Sequence, residues 1–242
     1  MNQRPSIHTC LSPALLHLYD VSEAQVVIID VLRATSTIAT AIHHGARAVI
    51  PVESVADCII IGAEKNAITA GERDGKIADG LAYGNSPFEY PESFIKGKEL
   101  VLTTTNGTKL LHMALAKGAQ NILTGAFANI TAVCNFLSEQ KKPVLLACAA
   151  WKDKVNLEDS LFAGAVISRI KDDFDIACDS SRMVQQLYDS AKNDLFEFMK
   201  SHQASHYQRL MGFGLEKDIR HCLLQDTAPS LVVYKDNELV KG

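Results

Sequence analysis

QVVIIDVLRATSTIATAIHHGARAVIPV, residues 25–52, holds in order a β-branched run, a polar turn, a helical pattern and a second apolar run. Residues 25–30 (QVVIID) read as a short strand that ends in a carboxylate. TSTIATAIHH (residues 35–44) then has helical spacing, and Gly45 stops it. AVIPV (residues 48–52) reads as the next strand. Strand, helix and strand in this order make a βαβ unit, for which a mostly parallel sheet covered by helices is the expected α/β architecture.

The unit recurs. VLTTT (residues 101–105), TKLLHMALAK (residues 108–117), Gly118 and NILT (residues 121–124) repeat it at a constant shift of 73 residues. Thr35 falls over Thr108, Ala41 over Ala114, and Gly45-Ala46 over Gly118-Ala119, so an internal duplication of the βαβ-like unit is expected. A third variant follows Pro143, with VLLACAA (residues 144–150) as a buried strand and LEDSLFAGAVISRI (residues 157–170) as a helix. Between the first two units, residues 71–91 are rich in Gly, Pro and Asn without a clear period, which predicts a long irregular loop of a kind that often carries function. Helices with charged outer faces are expected after Asp179, and LVVY (residues 231–234) reads as a last or edge strand. The chain is expected to form a single compact unit over residues 1–242, built from two similar α/β lobes at about 1–95 and 96–242 if it divides.

Composition narrows the partners. Of the 242 residues 47% are hydrophobic and 21% charged, which fits a folded globular chain and leaves little room for long disorder. The formal net charge of −4 lacks the basic excess of a nucleic-acid groove or a membrane-surface patch, so a small molecule is the expected partner. No stretch reaches 18 apolar residues and no export signal opens the chain, so a cytoplasmic location without membrane insertion is expected. The six cysteines are far apart and form no CxxC pair, which predicts free thiols packed as small apolar groups. A homodimer is the assembly expected from the prevalence of twofold oligomers.

In parallel α/β sheets, ligands collect beyond the carboxyl ends of the strands, where helix N-termini offer free N–H groups. The turn after residue 29 supplies Asp30, Arg33, Thr35, Ser36 and Thr37, and the turn after Thr103 supplies Thr104, Thr105, Asn106, Gly107 and Thr108. Such turns suit a phosphate, with Gly107 allowing close backbone approach. After the third strand, Glu158 and Asp159 fit either helix capping or a hard cation. In the middle loop, Glu72 can give a metal oxygen and Arg73 a bidentate grip on an oxyanion, or the two can form a solvated ion pair. Asn85 and Ser86 add further polar groups. Any one of these turns alone is as well explained by capping; three strand ends with the same oxygen-rich chemistry favour a shared anion-and-metal site.

Other signals lead nowhere. GERDGKI (residues 71–77) has neither the spacing nor the terminal hydroxyl of a P-loop. His202 and His206 lie one helical turn apart without the glutamate of a zinc protease, and surface histidines are the expected reading. No Gly-x-Ser-x-Gly elbow is present. Trp151, the single tryptophan, fits a pocket wall or a core position equally.

Five ordered blocks, VVIIDVLRATSTIATAIHHGA (26–46), AGERDG (70–75), GNSP (84–87), TTTNGT (103–108) and LEDSLFAG (157–164), resemble the signature blocks of the 2-phosphosulfolactate phosphatase family. The resemblance spans about residues 25–235. It implies a three-layer α/β/α fold and a magnesium-dependent phosphatase that hydrolyses 2-phospho-3-sulfolactate to 3-sulfolactate and phosphate, on a route towards coenzyme M. On that reading Arg33, Arg73 and the hydroxyl-rich turns hold phosphate and sulfonate. Magnesium takes Asp30, Glu72 and Asp159, with Glu158 in reserve, since it prefers a few carboxylates plus waters and a phosphate oxygen. The expected catalytic set is Asp30, Arg33, Glu72 and Asp159. Attack by metal-activated water with a carboxylate base, or by Asp30 through an aspartyl-phosphate, both remain open. Leu32 stands where haloacid-dehalogenase phosphatases carry a second Asp, which disfavours their chemistry. The chain departs from the family pattern at Cys148-Ala149-Ala150, where Cys-Ala-Gly is usual, and at WKDKVN (151–156), which replaces a more Gly-rich approach. A non-catalytic sensor of a small phosphate or sulfonate is the alternative to an enzyme.

Overall fold

The computed structural model describes residues 4–73 and 75–242. Its strands are β1 (Ser6–Cys10), β2 (Gln25–Ile29), β3 (Ala48–Pro51), β4 (Ile68–Arg73), β5 (Lys76–Ile77), β6 (Glu99–Thr103), β7 (Asn121–Gly125), β8 (Val144–Cys148), β9 (Asp175–Ile176), β10 (Val232–Lys235) and β11 (Glu238–Lys241). The helices are α1 (Ala34–His43), α2 (Val55–Lys65), α3 (Glu92–Ile95), α4 (Gly107–Ala116), α5 (Ile130–Gln140), α6 (Leu157–Ile170), α7 (Asp179–Ala191), α8 (Leu195–Ser201), α9 (Ser205–Gly212) and α10 (Glu216–Cys222). All strands join one sheet in the order β5-β4-β6-β3-β11-β10-β7-β2-β8-β1-β9, mostly parallel, with helices on both faces.

The duplication is visible as an exchange of strands. One unit is β2-α1-β3-α2-β4 and the other β6-α4-β7-α5-β8. β2 lies between β7 and β8, and β6 lies between β3 and β4, so each unit's first strand is sandwiched by the other unit's second and third. The registers match: Gln25 faces Asn121 in one half and Glu99 faces Ala48 in the other.

All five residues of β2 are buried because helices cover both of its faces. Val26 and Ile28 enter one apolar cluster; Val27 and Ile29, one residue out of phase, enter another. The first cluster joins Ile38, Ala41 and Ile42 of α1 and Leu110, Leu111 and Ala114 of α4 to strand residues from both halves, including Ala70, Leu100, Leu102, Leu145 and Ala147. That cluster runs along neighbouring strands, so α1 and α4 cover one face of the sheet. The second cluster packs residues of α5 to α10 on the other face.

Two expectations need correction. The stretch 71–91 is not irregular throughout: Gly71 to Arg73 complete β4, Lys76–Ile77 form β5, and Pro87–Glu89 form a 3-10 turn capped by Ser86. LVVY is neither last nor at an edge. β10 pairs antiparallel with β11, and this hairpin closes the middle of the sheet between β3 and β7. Its sequence holds Asp236-Asn237, both at positive φ, a turn signal that short strand patterns on either side obscured. β1 also forms, paired with β8 and β9. The six cysteines are free, and all but Cys178 are buried. No helix among the described residues is long and apolar enough to cross a membrane.

Candidate active site

Residues from the turns after β2, β4, β6 and β8 meet at one place. The closest measure is at Gly107, the first residue of α4: a Cβ built there would lie 2.8 Å from Asp30 Oδ2 and 3.0 Å from the Ala34 Cβ. Glycine at this position therefore serves the approach of the two duplicated turns. The turns also share a hydrogen-bond device. Thr35 Oγ1 accepts from the Asp30 N–H at 3.2 Å, and Thr108 Oγ1 accepts from the Thr104 N–H at 3.1 Å.

Above these turns lies a small polar cavity. Asp30, Leu32 and Arg33 enter it from the β2–α1 turn, Glu72 and Gly75 from the β4–β5 hairpin, and Asn85 and Asn106 from the turns before α3 and α4. Trp151 enters from beyond β8, and His206, Arg209 and Leu210 from α9. Leu32 places an apolar side chain where a second Asp would stand in a haloacid dehalogenase.

The charged groups are held in separate contacts. Arg33 Nη1 donates to Asp218 Oδ1 of α10 at 2.7 Å, and both side chains are almost fully buried. Glu158 Oε1 pairs with His206 Nδ1, also buried, while Glu158 Oε2 is buried without a partner. Glu72 Oε1 accepts from the Gly75 N–H at 2.6 Å, and its Oε2 meets Thr105 Oγ1 at 3.4 Å. Burial pushes the Asp30 carboxyl up to about 6; the charge of His206 opposes that rise, and the carboxylates of Glu72 and Glu158 add to it.

The expected site residues thus divide. Asp30, Arg33, Glu72, Asn85 and Asn106 line the cavity. Asp159 sits behind it, where one oxygen accepts from the Val31 N–H at 2.9 Å and the other from the Ala150 N–H at 3.1 Å. It fastens the turns after β2 and β8 together, and its carboxyl is raised well above the usual range by burial and by Glu158 and Asp30. Arg73 turns aside to Thr103 Oγ1 at 2.9 Å and to the Glu72 carbonyl at 2.7 Å. Thr37 donates to the Asn85 carbonyl, and Thr104 and Thr108 bond one another across the α4 entrance. Thr35, Thr105, Ser86 and Gly107 likewise shape the turns and do not line the cavity.

His206 corrects the expectation of a surface histidine: it is 7% exposed and lines the cavity, whereas His202 is exposed. Its helix shows why. His206, Arg209 and Leu210 at i, i+3 and i+4 share one face, and Tyr207 and Leu210 anchor that helix in the second apolar cluster. That spacing was available in the sequence, but the charged residues around it point to a solvated face.

The family model of 2-phosphosulpholactate phosphatase matches residues 10–237. The chain belongs to this family. A probable 2-phosphosulfolactate phosphatase of Thermotoga petrophila is 40% identical over 85% of this chain and 88% of its own length. Proteins given the same description in Caldanaerobacter subterraneus and Clostridium tetani are 36% and 34% identical, over 86% and 91% of this chain and 86% and 93% of theirs. The signature block AGERDG includes residue 74, which lies outside the described residues; the other four blocks converge around the cavity or on the turns that carry it.

Proposed function

We propose that the chain hydrolyses 2-phosphosulfolactate, or a closely related small anionic phosphomonoester, to the hydroxy acid and phosphate with the aid of magnesium. The observation that carries this reading is the charge pattern of the cavity. Arg33 is matched by Asp218 and His206 by Glu158, while Asp30 and Glu72 form no ion pair among the described residues. A site that must bind a phosphate dianion beside two such carboxylates calls for a dication between them.

The donor set fits magnesium in particular. Among the described residues no three histidine, cysteine or acidic side chains form a closed metal cage, and Asp159 and Glu158 Oε1 are already engaged. Asp30 and Glu72 remain, and one or two carboxylates completed by waters and a phosphate oxygen are the usual magnesium set. When bound there, the ion would offset the carboxylate charge and polarise the phosphoryl group. Arg33, steadied by Asp218, grips the phosphoryl oxygens. The side-chain amides of Asn85 and Asn106 line the cavity, where their N–H groups orient the ester by donating to its oxygens. Water attacks phosphorus, one carboxylate of the Asp30–Glu72 pair takes its proton, and the alkoxide leaves. A cytoplasmic setting accords with the free cysteines.

The test is phosphate release from 2-phosphosulfolactate, phospholactate and phosphoglycerate with magnesium and with chelator. Turnover that requires the ion and falls by orders of magnitude in Asp30→Asn and Arg33→Ala supports the reading. Binding without turnover of any ester makes the chain a sensor instead.

A further inference from the structure

Hydrolysis of an alkyl phosphate moves two protons. One leaves the attacking water, and the other must reach the alkoxide, a strong base that departs slowly unless it is protonated as its bond to phosphorus breaks. The Asp30–Glu72 pair can take the first, and the second needs a donor. Guanidinium, amide and indole groups do not give up a proton near neutral pH. Among the described residues that line the cavity, that leaves His206 beside the two carboxyls.

The His206 ring is held at one edge. Its Nδ1 pairs with Oε1 of Glu158, a residue of the first turn of α6 that is 1% exposed, and the Asn156 amide lies 3.4 Å from the same nitrogen. A carboxylate on one imidazole nitrogen fixes the tautomer and orientation of the ring and presents the other nitrogen for proton transfer. Here the other atom is Nε2, on the far edge of a ring that lines the cavity, and it has no partner among the described residues. Of the charges around Asp30, that of His206 acts most strongly on its carboxyl, so the ring stands near the carboxylate pair. The carboxylates come from strand-end turns, whereas Glu158 and His206 come from α6 and α9. The two proton transfers therefore fall to groups on separate elements.

We propose that His206 is the general acid of the reaction, its Nε2 donating a proton to the leaving alkoxide, and that Glu158 is its positioning residue. This rests on the hydrolase reading of the cavity. The water oxygen bonds to phosphorus while the bond from phosphorus to the ester oxygen breaks, and the ester oxygen keeps the electron pair and takes the Nε2 proton. The carboxylate that accepts the proton of the water returns it to solvent, and His206 recovers one from solvent. The products are the alcohol and phosphate.

The experiment measures kcat and kcat/KM on the magnesium-loaded full chain for 2-phospholactate, its 3,3,3-trifluoro analogue and acetyl phosphate. Their leaving groups are an alkoxide, a less basic fluorinated alkoxide and a carboxylate, which need a proton less and less. His206→Gln should lower kcat on phospholactate by about 100- to 1,000-fold, on the trifluoro analogue by less, and on acetyl phosphate by only a few fold. Since this change strips the buried Glu158 carboxylate of its ion-pair partner, the double variant with Glu158→Gln removes that charge as well and should show the same gradation. Glu158→Gln alone should give smaller losses in the same order.

Equal losses on all esters that the wild type hydrolyses overturn the proposal, because a residue that only braces the fold does not follow the basicity of the leaving group. A loss carried by KM alone overturns it too and makes His206 a binding group. The wild type gives a check that needs no variant: its kcat/KM should change little between phospholactate and the trifluoro analogue, and a steep rise with the weaker base overturns the assignment. If the wild type hydrolyses none of these esters nor 2-phosphosulfolactate, the hydrolase reading fails and the assignment falls with it. Turnover with uniform losses removes the assignment alone.

Discussion

Asp30→Asn should make the metal-free protein more stable while abolishing turnover. The buried Asp30 carboxyl rises from 3.8 to about 6 on folding. Between those values the native state binds a proton that the unfolded chain has lost, so stability falls as pH rises through this window and stays lowered above it. The rise corresponds to about 3 kcal/mol at the usual 1.36 kcal/mol per pH unit, an upper figure because burial of Asp30 is shared with neighbouring charges. Asparagine keeps the Oδ1 that accepts from the Ala34 N–H at 3.4 Å and carries no charge to desolvate. The variant should therefore gain roughly 1–3 kcal/mol at pH 7.5 in chelator, or several degrees in Tm for a chain of this size. Thermal unfolding of both proteins at pH 4, 5, 6 and 7.5 measures the gap. It should be near zero at pH 4, open through pH 6 and level off, and added magnesium should stabilise the wild type more than the variant. A gap that is absent at pH 7.5, or that does not change with pH, would refute the placement of an uncompensated carboxylate here.

Asp218→Ala removes the partner of buried Arg33 and should cost about 3–5 kcal/mol in urea unfolding, with Asp218→Asn losing less. Gly107→Ala drives a methyl against Asp30 Oδ2 and Ala34, so stability should fall by about 1–3 kcal/mol and activity at least tenfold, read from a melt and a phosphate assay. Ala150 holds φ at +57° while its N–H reaches Asp159. Ala150→Gly relieves a left-handed conformation but frees the unfolded chain, for a net gain of up to about 1 kcal/mol in the denaturant midpoint.

How far the sequence could be read follows from the range of each interaction. The β2 and β8 runs, the α6 span and the duplicated turns are local patterns, and α6 falls on Leu157–Ile170 as its periodicity indicates. Asp30, Arg33 and Glu72 were found because strand ends and a Gly-bounded loop mark themselves. His206, Arg209 and Asp218 were not, since the first two line the cavity and the third holds Arg33 from helices more than 170 residues away from Asp30, a tertiary approach that no local window records. Arg73, named with Glu72 for the ligand, does not line the cavity and bonds Thr103 Oγ1. Its neighbour Glu72 faces the cavity, and adjacent side chains on a strand point to opposite sides. The β10–β11 hairpin was hidden for a related reason: insertion into mid-sheet depends on partners encoded early in the chain.

The exchange of strands between the duplicated units bears on how the molecule is made. A nascent chain that has emerged only as far as α3 has β1, β2 and β3 without a single sheet neighbour, since their partners are β6 and later strands. β2 waits until residue 148 for both of its flanks. Pairings so distant in sequence form slowly and leave apolar edges open meanwhile. Synthesis from the N-terminus therefore yields little that can settle early, and the sheet assembles as a late, cooperative event in which the second unit acts as the template on which the first is completed.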